Sequence, residues 1–123
     1  MKLGAFSISL HVKDIQQSLQ FYQKLGFSLL GGNIEQNWVI LKNGATVIGL
    51  FQGRLQENVL TFNPGWDQNA QNTENFTDVR DIQRHLKSQG IEFVREADTE
   101  TTGPEHFIIK DPDGNVIMLD QHR

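Results

Sequence analysis

The chain has 123 residues, a length that fits a single domain with its own hydrophobic core. It contains no cysteine, which excludes disulfides, thiolate metal sites and a cysteine nucleophile. The formal net charge is −4, and Lys and Arg are scattered among Asp and Glu without forming a basic stripe, so we expect neither nucleic acid nor a membrane surface as a partner.

The first predicted strand is FSISLHV, residues 6–12. Its apolar residues alternate with Ser7, Ser9 and His11, so the apolar face should pack against a helix and these three side chains should point the other way. This alternation does not match a signal peptide, and no apolar run approaches the ~20 residues that span a bilayer. We therefore expect a cytoplasmic protein.

A helix should follow, because Asp14 suits the N-cap position, an apolar stripe comes next, and Gly26 suits a left-handed C-terminal position. Residues 27–30 then predict a returning strand. The segment WVILKNGATVIGLF predicts a hairpin that turns at Asn43-Gly44. The first half, about residues 4–53, is thus predicted to be a strand, a helix and three strands.

The second half, about residues 70–122, repeats this order. Asp78 and Gly90 are twelve positions apart, as are Asp14 and Gly26. Residues 91–94 predict a strand, and HFIIKDPDGNVIMLD predicts a closing hairpin. The polar connector between the halves, about residues 54–69, is predicted to be either a plain crossover or a functional lid that carries Trp66.

The opening VKDIQQSLQFYQKLGF, the closing DPDGNVIML and the apparent duplication resemble the vicinal oxygen chelate superfamily. That superfamily includes glyoxalase I, extradiol dioxygenases, fosfomycin-resistance enzymes and bleomycin-binding proteins. The resemblance implies one α+β domain over residues 1–123. In it, two tandem βαβββ modules form a curved, mostly antiparallel eight-stranded sheet around a cavity, with the helices outside. Relatives commonly dimerise, so a homodimer is expected.

Metal-bearing members of this superfamily hold a divalent ion through His or Glu on the first and last strands of each module. The matching positions in this chain are Ser7, Gly49, Gln71 and Met118. None of them is an imidazole or a carboxylate, the groups that bind such ions in the absence of cysteine. The resemblance therefore implies a member without the usual metal ligands, and we expect no cofactor.

The predicted function is metal-independent binding of a small aromatic or amphipathic molecule in the cavity, similar to bleomycin-resistance proteins that sequester a drug. The residues predicted to bind the ligand are Ser7, Ser9, His11, Trp38, Gly49, Phe51, Trp66, His106, Met118 and Asp120. The alternative is a glyoxalase-like or dioxygenase-like lyase or oxygenase. Such an enzyme would be metal-free or would use a displaced metal site formed by His11, His106 and Asp120. At this stage both functions are open.

Overall fold

The computed structural model describes residues 1–123 as an α+β fold whose strand pairs are mostly antiparallel. The elements are β1 (Ala5–Val12), α1 (Ile15–Lys24), β2 (Ser28–Asn33), β3 (Trp38–Asn43), β4 (Thr46–Gln52), β5 (Val59–Asn63), α2 (Val79–Ser88), β6 (Glu105–Lys110) and β7 (Val116–Gln121). A short 3-10 helix, Ile34–Gln36, precedes β3. Neither α-helix is long and apolar enough to cross a membrane.

The chain divides into two compact units, which are described separately. The N-terminal unit comprises residues 7–59, and the C-terminal unit comprises residues 1–6 and 60–123. The boundaries fall within β1 and β5, so most residues of β1 belong to the N-terminal unit and most residues of β5 to the C-terminal unit.

In the N-terminal unit the strand order is β2-β3-β4-β1, and β1 runs parallel to β4. Helix α1 covers one face of these strands. Asp14 begins this helix as predicted, because its side chain accepts hydrogen bonds from the backbone N–H groups of Gln16 and Gln17. The buried core beneath α1 consists of Ile15, Val39, Leu41, Ile48 and Leu50.

In the C-terminal unit the strand order is β5-β7-β6, and α2 packs against these strands. Asp78 is the N-cap of α2, again as predicted. The buried core of this unit consists of Val79, Ile82, Ala97, Phe107, Ile109 and Leu119. Each unit therefore has its own apolar cluster between one helix and its strands.

The prediction of eight strands in tandem βαβββ modules is not confirmed, because the structure has seven strands. The predicted strand at residues 91–94 does not form, and Arg95 alone makes an isolated bridge to Ile108. Phe93 packs on the core, but Ile91 and Val94 are 41% and 62% exposed. One buried anchor is too little to fix an alternating strand on a sheet.

The opening strand of the C-terminal unit also differs from the prediction. It is β5, which lies inside the segment predicted to be a connector. Its residues alternate, since Val59 and Thr61 are buried while Phe62 packs against the core of the C-terminal unit. The polar loop therefore begins only after Asn63.

Both helices begin with the same hydrogen bond to the end of a strand. The Ile15 N–H donates to Gln52 Oε1 at 2.8 Å, and the Val79 N–H donates to Gln121 Oε1 at 2.7 Å. The first N–H groups of a helix have no partner within the helix, so each glutamine satisfies a donor that would otherwise be unpaired. Gln52 ends β4 and Gln121 ends β7, so this bond ties each helix to its sheet.

The Gln121 amide also holds the carboxylate that caps α2. Its Nε2 donates to Asp78 Oδ2 at 3.0 Å, and Arg80 Nη1 donates to Asp78 Oδ1 at 3.0 Å. Burial tends to raise the pKa of Asp78, but the hydrogen bonds from Gln121 and Arg80 outweigh it and leave this pKa below its ordinary value. The cap thus stays ionised, which favours the helix N-terminus.

We predict that Gln121→Leu lowers the free energy of unfolding by about 2–3 kcal/mol, because it leaves the buried Val79 N–H without an acceptor. Urea denaturation monitored by circular dichroism measures this change. Gln23→Leu on the exposed side of α1 is the control and should change stability by less than about 0.5 kcal/mol. Equal effects of the two substitutions would contradict a stabilising role for the buried amide.

Candidate functional site

The predicted site residues of the N-terminal unit lie on the face of β1, β3 and β4 opposite α1. The apolar residues Ile8, Leu10 and Val12 pack into the helix-side cluster, which confirms the predicted alternation of β1. Two rows of residues cross the three strands on the other face: Ser9, Gly49 and Ile40, then His11, Phe51 and Trp38. We call these six residues, with Ser7, the aromatic face.

Trp38 and Phe51 form a stacked pair on the aromatic face. Their ring centroids are 6.3 Å apart, and the ring planes differ by 9°. Both side chains are half-buried, whereas Ser7 and Ser9 on the same face are buried. The stack therefore presents accessible aromatic surface beside hydroxyl-bearing residues.

Gly49 is the position that matches a metal ligand in metal-bearing relatives, and the Phe51 ring covers it. A Cβ atom at Gly49 would lie 2.7 Å from Phe51 Cε2 and 3.1 Å from Ile40 Cδ1. The 2.7 Å distance to Phe51 is shorter than Cβ contacts observed in proteins, so a larger residue at Gly49 requires the Phe51 ring to move. A carboxylate or imidazole donor at this position does not fit with the ring in place.

The predicted site residues on β6 and β7 form rows on one face of the C-terminal unit. His106 pairs with Asp120, and Ile108 pairs with Met118. Glu105, next to His106, accepts hydrogen bonds from the backbone N–H groups of Asp98 and His106, which lower its pKa to about 2. The Glu105 carboxylate therefore lies ionised beside His106, whose Nδ1 is 3.9 Å from Glu105 Oε1, while Arg95 Nη1 pairs with the same oxygen at 3.2 Å.

Trp66 lies in the loop after β5 and contacts a residue to which sequence reasoning assigned no role. Its ring stacks on His122, with centroids 4.5 Å apart and planes differing by 11°. His122 Nε2 is 3.1 Å from Asp120 Oδ2, and this hydrogen bond raises the pKa of His122. The alternation of β7 could have indicated a role for His122, because His122 follows Asp120 by two positions and should lie on the same face.

The residues at the four positions that match metal ligands do not fit a divalent ion. Gly49 is covered by the Phe51 ring, as described above. Gln71 lies outside the strands, and its backbone N–H donates to Asp67 Oδ1. The structure contains no group of three or more His, Asp or Glu side chains that could hold a metal. The predicted displaced metal site therefore has no structural support.

Residues 4–119 match the family described as the Glyoxalase/Bleomycin resistance protein/Dioxygenase superfamily. The chain belongs to this superfamily. This finding confirms the resemblance drawn from the opening and closing motifs. A comparison with curated protein sequences finds no significant match.

Solved structures of this superfamily are similar to the chain in fold. A member from Vibrio splendidus is 15% identical, with a TM-score of 0.65, and the match covers 94% of this chain and 97% of that one. Homoprotocatechuate 2,3-dioxygenase from Arthrobacter globiformis is 16% identical, with a TM-score of 0.57, and the match covers 97% of this chain and 35% of that one.

The Mn(II)-bound glyoxalase from Novosphingobium aromaticivorans is 17% identical, with a TM-score of 0.56, and the match covers 94% of this chain and 37% of that one. This chain therefore spans about a third of the length of the dioxygenase and of the glyoxalase. At such identities the similarity shows a shared fold and leaves the activity to the residues of the site.

We predict that Gly49→Ala destabilises the protein by about 1 kcal/mol, because the new methyl group forces the half-buried Phe51 ring from its position. Thermal or urea unfolding measures the loss. The same substitution in a Phe51→Leu background should cost measurably less, since the obstructing ring is absent. If Gly49→Ala cost the same in both backgrounds, the ring would not be the constraint.

Proposed function

We propose that this superfamily member binds a small planar aromatic or amphipathic molecule on its aromatic face, without a metal ion. The observation that carries this proposal is the half-exposed Trp38–Phe51 stack beside Gly49. Stacking of a planar ligand on such rings is favourable through both apolar contact and the electrostatics of the ring faces. The exposed His11 on the same face is a polar residue that can hydrogen-bond to the ligand.

The residues at the positions that match metal ligands support ligand binding over metal-assisted catalysis. Where metal-bearing relatives place a chelating group, this chain places Ser7 and Gly49, and an aromatic ring fills the space above the glycine. Drug sequestration, which the resemblance to bleomycin-resistance proteins implies, needs a complementary surface and no reactive group. The aromatic face meets that requirement.

An enzymatic role has weaker support. His11 is exposed, and Asn58 Oδ1 holds its backbone N–H at 3.1 Å while no contact orients its ring. A general acid or base needs its proton-bearing atom held toward the substrate. Ligand binding by His106, Met118 and Asp120 on the C-terminal unit stays a prediction, as does the homodimer.

Thermal-shift measurements with bleomycin and a panel of planar aromatic compounds, each with and without EDTA, test the proposal. A ligand that binds only the native state raises Tm with its concentration, and EDTA should leave that rise unchanged. Trp38→Leu should weaken binding of the best compound about 2–10-fold. Phe21→Leu, which removes an exposed aromatic ring on α1 outside the aromatic face, is the matched control and should leave the affinity unchanged.

The absence of any concentration-dependent stabilisation across the panel would contradict the proposal. Stabilisation that EDTA abolishes would contradict its metal-independent part. Equal effects of Trp38→Leu and Phe21→Leu would show that the ligand does not depend on the aromatic face.

A further inference from the structure

A cleft of about 370 Å³ lies in the C-terminal unit between the N-terminal segment and the loop after β5. We call residues 64–76 the Trp66 loop. The residues that matter for the cleft are Lys2, Gly65, Trp66, Thr73, Asn75 and Phe76. None of them belongs to the aromatic face. The volume falls within the range of small-molecule sites in proteins.

The Trp66 loop is held in one shape by hydrogen bonds. Arg123 Nη1 donates to the carbonyl oxygens of Gly65 and Thr73 at 3.2 and 2.7 Å, and the Thr73 N–H donates to the Gly65 carbonyl at 2.8 Å. The backbone of Ala5 also donates to the Trp66 carbonyl at 3.0 Å. A cleft with fixed walls loses little conformational entropy when a ligand binds.

Gly65 is needed for this arrangement. Its φ of +90° is a left-handed conformation that favours glycine, and a Cβ atom there would lie 2.5 Å from Arg123 Cδ. The close approach of Arg123 to the loop therefore depends on a glycine. This loop forms one wall of the cleft, and the predicted alternatives of a plain crossover or a functional lid stay predictions.

The aromatic walls of the cleft are Trp66 and Phe76. Trp66 Nε1 donates to Asn72 Oδ1 at 3.1 Å, and His122 stacks on one face of the ring, so the ring is held in place and the surface that it contributes to the cleft is carbon. Arg123 lies over Phe76, 4.4 Å from the ring centroid, and Phe76 is still 36% exposed. Two anchored aromatic side chains are a favourable surface for another ring.

The charged residue of the cleft indicates that the ligand carries a negative charge in addition to an aromatic ring. Lys2 is the only charged residue that lines the cleft, and no carboxylate does so. The Asn75 side chain is exposed at the same cleft and can donate a hydrogen bond. A cleft lined by a lysine and an amide donor favours an anion, because hydrogen bonds to charged acceptors are stronger than those to neutral ones.

We propose that the Trp66 cleft binds a small aromatic carboxylate, with its ring against Trp66 and Phe76 and its carboxylate at Lys2. This inference does not rest on the proposed function, since the two sites share no residue. Arg123 is a positioning residue in this arrangement, because it acts through the backbone of the Trp66 loop.

Titration of the ¹⁵N-labelled full chain with 2-naphthoate tests this proposal by NMR. The protein has two tryptophans, so the indole N–H signals of Trp38 and Trp66 report the two sites separately. We expect a saturable shift of the Trp66 signal. The neutral 2-naphthamide should bind more weakly at the same signal, because it lacks the charge that pairs with Lys2.

Lys2→Gln is the diagnostic variant, and because Lys2 is exposed the substitution should leave the fold intact. It should weaken 2-naphthoate binding about 2–5-fold and leave 2-naphthamide binding unchanged. The absence of a saturable shift at Trp66 would overturn the proposed cleft, and an equal effect of Lys2→Gln on both probes would overturn the role of the charge. A shift at Trp38 alone would support the aromatic face and reject the Trp66 cleft.

Discussion

The alternation of side chains along the strands is the constraint on which both units depend. Each strand that buries apolar residues against a helix must present a second set of residues on its other face. In the N-terminal unit the first set includes Leu41 and Leu50, which are fully buried, and the second set includes Trp38 and Phe51. The helix side thus provides stability, while the opposite side is available for a ligand. A one-residue shift in register would exchange these roles.

The parts of the fold that follow from local chemistry could be predicted from sequence. Asp14 and Asp78 cap the two helices because a short carboxylate at that position satisfies backbone N–H groups. The hairpin from Glu105 to Gln121 also follows from two short apolar segments separated by the tight turn at Asp111-Pro112-Asp113-Gly114. The predicted strand at residues 91–94 was wrong. Burial of a short apolar segment depends on tertiary packing, which the local sequence does not show. The same dependence places β5 where a connector was predicted.

The composition of the candidate site was more predictable than its geometry. The sequence shows that Ser7 and Gly49 lack the chemistry of metal ligands. It does not show that the Phe51 ring lies over Gly49, because a side-chain rotamer depends on its neighbours in three dimensions. The stack of Trp66 on His122 was likewise hidden, since the two residues are far apart in sequence.

The contact between Phe51 and Gly49 most directly distinguishes a surface for aromatic ligands from a site that is open to a metal ion. It can be measured by nuclear Overhauser effects between the Phe51 ring protons and the Gly49 α-protons in a ¹³C-labelled sample without ligand. Strong effects are expected, because the ring covers the space where a Cβ atom at Gly49 would lie. Their absence, with the Phe51 ring instead turned toward solvent and away from Trp38, would contradict the central claim.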